Sequence, residues 1–435
     1  MPKKRGAGEG GLYQLKGRGL WRGVIDVGYG PDGRRKQKSV TAKTQAAARA
    51  KLDALKVEMK QYGAPLDNAR TVESWATHWL DTVCRNNLKP RALASYQSVV
   101  RVWIIPTIGK KRISLLKPSD VRAVMQAAID ANRGPATAEK IHTVLSSMLE
   151  SARLDGLIGR NIVGDVKAPS TGESSRGSFS TEDALRILEA AASLVDGTRW
   201  WAALLAGMRQ GERLGATLDS LDFNNHRFTV QWSLTEATFE HGCGGTCTVK
   251  RAGSCPQRRL MIKPGLRHKQ LDGRLVLVPP KSGKPRTFPM LPQLEQAMKR
   301  YLEATADVPN PHGLIWRNSD GSPITAGQDQ AAWRDLLLTA GVITAEQAKP
   351  LGERETGTPS TPTTHWSRHT TATVLMELGV DARIVGEIVG HASTRVTHGY
   401  QHVSSEAARA AMTALGSHYA KALGAPMSEV ESMFD

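Results

Sequence analysis

The sequence lacks any run of apolar residues long enough to cross a membrane, and its opening stretch, Met1–Gly6, lacks the apolar core of a secretory signal. Internal repeats are absent as well, so a repeat array is not expected. Cysteine is scarce, because 4 residues in 435 are no framework for cross-linking so long a chain. We therefore expect a protein of the reducing cytoplasm with no membrane span.

Negative charge is also in short supply. The chain has 41 Asp and Glu against 58 Lys and Arg, which gives a formal net charge of +17 and a sequence pI of about 9.8. This balance makes a polyanion such as nucleic acid the expected partner, with an anionic membrane surface as the alternative. A hydrophobic content of 40% over 435 residues predicts a globular protein of two or three domains.

Positive charge is densest in residues 1–66, with 15 Lys and Arg against 5 Asp and Glu. Apolar residues alternate from Trp21 to Tyr29 and predict a strand, which a turn connects to a returning basic strand. Thr44 is the expected N-cap of a helix that ends near Gly63, so we predict a small sheet backed by one helix. Its basic residues are candidate DNA contacts, although basic residues also protect sheet edges. The candidates are Lys16, Arg18, Arg22, Arg34, Arg35, Lys36 and Lys38.

Residues 67–168 are predicted to form an all-helical domain. Val72, Trp75 and Trp79 recur at three- and four-residue spacing, which indicates one buried helix face. The aromatic members of this face are expected in the core. Small polar residues follow at 169–179 and predict a linker.

A basic loop is expected between two helices of this domain. The helical pattern is predicted to break at 105–109, and Lys110, Lys111 and Arg112 come directly after the break. A basic loop between helices suits contact with DNA phosphates. These three residues join the candidate DNA contacts.

Residues 180–435 are predicted to mix helices and strands, and they carry polar motifs that core packing does not require. Any single motif has an ordinary structural explanation, such as an ion pair one helical turn long or an exposed basic turn. Their order and spacing together are distinctive. The motif residues are Arg209 with Glu212, Lys281 with Lys284, His365 with Arg368, Gly390 with His391, and Tyr400.

This set resembles the signature of the tyrosine recombinase, or phage integrase, family, above all in the stretch HWSRHTTATVLMELGVDARIVGEIVGHASTRVTHGYQHV. Residues 1–66 look like the family's arm-site DNA-binding domain, 67–168 like its core-binding, SAM-like domain, and 180–435 like its catalytic domain. The resemblance implies a multidomain, mainly α-helical protein with small β-sheets and a mixed α+β catalytic domain. It also implies a site-specific recombinase that integrates a mobile element, such as a phage, into a chromosome.

Fixed positive charge is what this chemistry needs, because charge accumulates on the nonbridging oxygens of a phosphodiester when a nucleophile attacks. Arg209 and Arg368 supply planar, bidentate donors that stay charged at neutral pH. His391 is expected to donate to the same oxygens. Glu212 is expected to orient Arg209 without transferring a proton.

The resemblance makes Tyr400 the nucleophile, which forms a 3′-phosphotyrosine bond and releases a 5′-hydroxyl. The leaving alkoxide needs a general acid, and Lys281 matches the family's lysine, with Lys284 as the alternative. His365 is expected to accept the proton of the nucleophile or to hydrogen-bond the phosphate. Because each half-reaction conserves the bond energy, no cofactor is required for catalysis.

The stretch between the first arginine motif and the lysine motif is longer than in compact members of the family. It contains His241, Cys243, Cys247 and Cys255, which offer nitrogen and sulfur ligands for a tetrahedral zinc ion. A surface loop with reduced thiols is the alternative. A disulfide is not expected in the cytoplasm.

The resemblance also sets expectations about partners. These are double-stranded DNA attachment sites, a homotetramer that resolves a Holliday junction, a host DNA-bending factor and an excisionase. A helix at about 404–415 has an apolar face that either docks on a neighbouring protomer or packs within the chain. Two other functions stay open: strand cleavage of the type IB topoisomerase kind without site pairing, and non-catalytic regulation by DNA binding.

Overall fold

The computed structural model describes residues 10–15, 19–29, 35–62, 70–170, 177–355, 357–390 and 405–422. The chain divides into two compact units, Met1–Glu173 and Ser174–Asp435. The division of the first unit into two domains at residues 66 and 67 stays a prediction. Nowhere in the described ranges is a helix long and apolar enough to span a lipid bilayer.

An antiparallel three-stranded sheet opens the first unit. Its strands, in spatial order, are β1 (Gly11–Leu15), β2 (Leu20–Tyr29) and β3 (Arg35–Ala42). Helix α1 (Gln45–Tyr62) packs on the sheet, and Ile25, Leu52 and Leu55 form the buried core between them. The hydroxyl of Thr44 caps α1 by accepting a backbone N–H of the first turn at 3.2 Å. The predicted sheet backed by one helix is confirmed, and β1 is an additional strand.

Helices make up the rest of the described part of the first unit. They are α2 (Val72–Trp79), α3 (Pro90–Val99), α4 (Pro118–Asp130) and α5 (Pro135–Leu154). A π-helical turn at Val100–Ile104 extends α3, and the chain stays helical to Ile108. The sequence predicted a break in the helix at 105–109, and the helix in fact ends only at the last residues of this segment. Pro106 follows directly on the π segment, where the N–H of Ile105 bonds to the backbone oxygen of Val100 and the regular i→i−4 pattern is already interrupted.

The aromatic residues of α2 belong to the core, as predicted. Trp75 and Trp79 are buried. Their indole N–H groups donate to the backbone oxygen of Met148 at 3.1 Å and to the hydroxyl of Ser151 at 3.0 Å, both on α5. These bonds satisfy the polar atoms of large buried rings and fix α2 against α5.

The second unit mixes helices and short strands. Its helices are α6 (Thr181–Ala192), α7 (Thr198–Leu205), α8 (Gln210–Leu214), α9 (Pro292–Ala304), α10 (Ala326–Thr339), α11 (Ala345–Ala348), α12 (Thr364–Glu377), α13 (Ala382–Val389) and α14 (Ser405–Ala422). Its strands are β4 (Leu221–Asp222), β5 (Arg227–Val230), β6 (Ser233–Glu236), β7 (Phe239–His241), β8 (Arg258–Leu260), β9 (Lys269–Gln270), β10 (Leu275–Val278) and β11 (Arg286–Pro289).

The strands of the second unit form three small antiparallel sheets, ordered β6-β10-β9, β11-β5-β4 and β7-β8. Strands β10 and β11 flank the turn that contains Lys281 and Lys284, which we call the lysine turn. The two strands belong to different sheets, so this turn connects one sheet to the next. The fold class predicted from the sequence is confirmed.

A buried charge network holds α8, the helix that follows Arg209. Asp329 on α10 is fully buried and pairs with Arg213 of α8 at 3.1 Å and with Arg199 of α7 at 3.4 Å. A buried carboxylate flanked by two guanidiniums ties three helices together, because losing any partner would leave an uncompensated charge. The network fixes the position of α8.

The apolar face of α14 packs within the chain. Ala411, Met412, Leu415 and Tyr419 are buried in the main core of the second unit. Of the two alternatives for this helix, the structure therefore has the intramolecular one.

Candidate active site

Four charged side chains from three elements meet in the second unit. Arg209 directly precedes α8, Glu212 lies within α8, Arg286 opens β11 and Arg368 lies on α12. Glu212 and Arg368 are each 1% exposed. We call this group the arginine cluster. It sets three guanidinium charges against one carboxylate, so its net charge is positive.

Glu212 bridges two of the arginines. Its Oε1 accepts a hydrogen bond from Nη1 of Arg209 at 2.6 Å, and its Oε2 accepts one from Nη1 of Arg286 at 2.7 Å. Burial acts to raise the pKa of Glu212, but the charges and hydrogen bonds of the two guanidiniums outweigh it, and the pKa lies below its ordinary value. Glu212 is an ionised bridge between two arginines, which is a larger role than the orientation of Arg209 alone.

The C-terminal end of α13 anchors both of these arginines. Arg209 donates from Nη2 to the backbone oxygen of Gly390 at 2.6 Å, and Arg286 donates from Nε to that of Ile388 at 3.1 Å. These carbonyls lack helical partners and carry the negative end of the helix dipole. Gly390 has a φ of +70°, and a Cβ there would lie 2.8 Å from Cδ of Arg286. Glycine is required at this position by both the backbone and the close approach.

Arg368 is held from the opposite side of the cluster. Its Nη1 donates to the backbone oxygen of Gly207 at 2.8 Å. Burial, together with the charges of Arg209 and Arg286, lowers the pKa of Arg368 to about 9. The guanidinium is therefore under electrostatic stress that a nearby anion would relieve.

Two donors of the cluster are left over. Nη2 of Arg286 and Nη2 of Arg368 are buried and have no hydrogen-bond partner among the described residues. An unsatisfied buried donor costs about 1–3 kcal/mol, and more for a charged group. An anion with several acceptor oxygens would satisfy both donors and reduce the repulsion among the arginines.

The lysine turn connects β10 to β11, the strand that Arg286 opens. Lys281 and Lys284 are both exposed. The turn is closed by the N–H of Gly283, which donates to Pro280 at 2.9 Å, and by the hydroxyl of Ser282, which donates to the backbone of Lys284 at 2.9 Å. The choice between Lys281 and Lys284 as general acid stays a prediction.

His365 lies in the first turn of α12, one helical turn before Arg368. It is exposed, and its ring centroid lies 4.8 Å from that of His369, with the rings perpendicular. His391 and Tyr400 fall outside the described residues. Of the predicted set, the structure thus brings together Arg209, Glu212 and Arg368.

Arg286 is a member of the cluster that sequence reasoning missed. The segment around it was recognised only as a basic turn. Arg286 and Phe288 lie two residues apart on one strand, and Phe288 is buried, so the two-residue period of a strand places the arginine on the buried face. That period was the available signal.

The candidate DNA contacts differ from one another in their exposure and in their partners within the chain. Arg22 donates to the hydroxyl of Ser39 at 3.0 Å, and Lys111 pairs with Asp120 at 2.5 Å, so both already have partners within the chain. Lys110, Lys111 and Arg112 are exposed, and Lys38 is half-buried. The candidates whose side chains lie outside the described part of the chain are Lys16, Arg18, Arg34, Arg35 and Lys36. Their contacts with DNA stay predictions.

Replacing Glu212 with glutamine is expected to destabilise the protein by about 3–5 kcal/mol, because it removes the counter-charge from buried guanidiniums. The pKa of Glu212 is lowered in the folded state, so its contribution is complete above the ordinary glutamate pKa and is lost as the pH falls through the lowered value. Urea unfolding at neutral and acidic pH measures both effects. Glu182→Gln, on the exposed first turn of α6, is the control. Equal stability of Glu212→Gln and wild type at neutral pH would contradict the prediction.

Comparisons with known proteins show what this chain is similar to. Residues 265–407 match the Phage integrase family, and residues 71–127 match the N-terminal SAM-like domain of phage integrases. An integrase of Saccharopolyspora erythraea is 27% identical over 418 residues, which cover 88% of this chain and 91% of that protein. An integrase of Streptomyces ambofaciens is 25% identical over 403 residues, which cover 91% and 92%. The structure of the Tn1549 transposon integrase with a circular intermediate DNA has a TM-score of 0.56 at 20% identity, over 80% of this chain and all of that one.

The matches to the phage integrase models and the similarity to integrases identify the class of protein: an enzyme that cleaves and rejoins DNA strands. The chain belongs to the phage integrase family of tyrosine recombinases. Enzymes of this family act without a cofactor. The recognition made from the sequence motifs is confirmed.

Proposed function

We propose that this recombinase integrates the DNA of a mobile element, such as a phage, into a chromosome at specific attachment sites. The observation that carries the proposal is the pair of buried Nη2 donors, on Arg286 and Arg368, that have no partner among the described residues. Together with Arg209 they form a preorganised receptor for one phosphodiester. The attachment sites that the protein recognises are double-stranded DNA.

The arginine cluster supplies the electrostatics of strand cleavage. A phosphodiester carries one negative charge, and its nonbridging oxygens gain charge when a fifth bond forms at phosphorus. Arg209 and Arg286 are held in place by Glu212 and by the end of α13, so they do not need to reorganise as the charge develops. Arg368 completes the cluster, and we assign His391 a further hydrogen bond to the same oxygens.

Bond making and breaking are assigned to residues around the cluster. The phenol oxygen of Tyr400 attacks phosphorus while the bond to the 5′ oxygen breaks, which leaves a 3′-phosphotyrosine. His365 accepts the phenol proton, and Lys281 protonates the leaving 5′ oxygen. In the rejoining step a 5′-hydroxyl attacks the phosphotyrosine and the same protons return. One phosphoester replaces another in each step, so no external energy source is needed.

Exchange of both strand pairs requires two DNA sites held together. We propose a homotetramer on DNA that passes through a Holliday junction, with a host DNA-bending factor and an excisionase as accessory partners. The protein acts in the cytoplasm of its bacterial host. The basic residues 1–66, with 15 Lys and Arg against 5 Asp and Glu, are assigned to separate arm-type DNA sites.

Recombination between two full attachment sites in cells, followed by sequencing of the junctions, tests this function. Wild-type protein is expected to give one defined crossover sequence. Relaxation of supercoiled DNA without any junction product would instead favour strand cleavage of the topoisomerase kind.

Deleting residues 1–66 is expected to abolish integration between full sites while cleavage of core-site DNA stays detectable. The lost segment carries much of the positive charge, and each phosphate contact contributes about −0.9 to the slope of log K against log salt. Binding to full sites should therefore become less salt-dependent. Measuring junction yield, core cleavage and salt slope on the same preparations checks the prediction. A truncated protein that integrates at the normal rate would contradict the arm-binding assignment.

A further inference from the structure

Four metal-ligating side chains converge in the second unit, at the tip of the β7-β8 hairpin. The sulfur of Cys247 lies 3.4 Å from that of Cys243 and 3.7 Å from that of Cys255. Nδ1 of His241 lies 3.3 Å from the sulfur of Cys247 and 4.0 Å from that of Cys243. All four ligand atoms lie within 4.8 Å of one another. We call residues 242–257, which contain the three cysteines, the cysteine lobe.

Four of these separations, between 3.3 and 4.0 Å, lie close to the edges of a coordination tetrahedron. Zinc–sulfur bonds of about 2.3 Å and zinc–nitrogen bonds of about 2.0–2.1 Å place neighbouring ligands roughly 3.5–3.8 Å apart in tetrahedral geometry. We propose that His241, Cys243, Cys247 and Cys255 bind one Zn²⁺ ion, which fixes the fold of the cysteine lobe. Four protein ligands leave no open position for a substrate, so the site is structural.

Apolar packing contributes little to the cysteine lobe. Within 242–257, only Cys243 and Cys255 are buried. The neighbouring apolar cluster uses Ala237, Val276 and Val278 and contains no residue of the lobe. Buried cysteines at the centre of a polar, glycine-containing loop are typical of small metal-stabilised modules, because coordination replaces the missing hydrophobic core.

The backbone is shaped to bring the four ligands together. The β7-β8 pairing puts His241 opposite Arg258, close to the start and end of the lobe. Gly244 and Gly245 have φ values of +62° and +89°, which let the chain reverse between Cys243 and Cys247. The Cys243 sulfur also accepts backbone N–H groups from this turn. Such hydrogen bonds orient and stabilise a metal-bound thiolate.

A disulfide explains the same residues less well. A disulfide bond holds its two sulfurs about 2.05 Å apart, and the cysteines here are unbonded. Joining any two of them would leave the third thiol and His241 without a role. Zinc uses all four donors: each thiol loses a proton to the solvent on binding, and the imidazole binds in its neutral form.

The zinc site shares no residue with the arginine cluster, so its test does not depend on the proposed function. The full chain, purified without chelator, is expected to contain about one zinc per chain by elemental analysis. Replacing zinc with Co²⁺ should give the strong visible absorption and sulfur-to-metal charge-transfer bands of a tetrahedral thiolate site. Chelator should make the lobe thiols reactive and open 242–257 to protease.

Matched variants distinguish the loss of the zinc site from general effects of substitution on the protein. Cys247→Ser and His241→Ala should lose the zinc. Cys84→Ala, at a buried cysteine in the first unit, and His268→Ala, an exposed histidine downstream of the lobe, should keep it. Wild-type protein that contains no metal and gives no tetrahedral cobalt spectrum overturns the proposal. A Cys243–Cys247 or Cys247–Cys255 disulfide in protein freshly purified from a reducing cytoplasm also overturns the proposal.

Discussion

Tyr400→Phe is expected to abolish the covalent protein–DNA adduct while leaving DNA binding intact. The substitution removes only the attacking oxygen, so the arginine cluster can still bind the scissile phosphate. A nicked core-site substrate should trap wild-type protein as a denaturant-resistant complex. Its linked peptide should contain Tyr400, and the released strand should carry a free 5′-hydroxyl.

Other tyrosines of the second unit provide the control. Tyr301 and Tyr419 are buried, and burial raises the pKa of both phenols, which makes them poor nucleophiles. The hydroxyl of Tyr419 has no hydrogen-bond partner among the described residues, so Tyr419→Phe removes no hydrogen bond of the described fold. That variant should form the adduct at the wild-type level. An undiminished adduct from Tyr400→Phe would refute the assignment of the nucleophile.

Arg368→Ala is expected to lower the rate of adduct formation by roughly 10²–10³-fold, the usual effect of losing one preorganised donor to a developing oxyanion. Arg368 carries one of the two unpartnered Nη2 donors and is itself fixed by Gly207. Single-turnover cleavage of the nicked core-site substrate measures the rate of adduct formation. Arg186→Ala, at a surface ion pair of α6, is the matched control and should cleave at the wild-type rate.

Two additional variants keep this prediction decisive if alanine at position 368 disturbs folding. Arg368→Lys keeps the charge but not the planar, bidentate donor, so its cleavage rate should fall between those of wild type and Arg368→Ala. Arg286→Ala should slow cleavage for the same reason, because Arg286 carries the other unpartnered donor. If Arg368→Lys and Arg286→Ala both fold and cleave at the wild-type rate, the cluster does not bind the scissile phosphate.

The sequence predicted much of the local structure because periodicity and capping are local properties. The N-cap at Thr44 and the buried aromatic face of α2 both follow from residues within a few positions of one another. The continuation of helix past Pro106 did not follow, because a π turn changes the hydrogen-bond register without a clear residue signature.

The candidate site was predictable as a set of residues and not as an arrangement. Motif order alone identified Arg209, Glu212 and Arg368, since fixed cations and a carboxylate partner are what phosphoryl chemistry demands. Arg286 was overlooked because its role depends on β11 pairing with β5 rather than with β10. Strand pairing is a long-range choice that local sequence does not encode.

The sequence by itself determined the class of this protein, its basic character and its helical pattern, and it predicted the residue types expected around the reacting phosphate. Only the tertiary structure decided that Glu212 bridges two arginines, that two guanidinium donors lack partners in the described fold, and that His241 meets three cysteines. Those facts depend on distances between atoms far apart in the chain. The packing of separate segments against one another sets such distances, so the sequence of any one segment does not determine them.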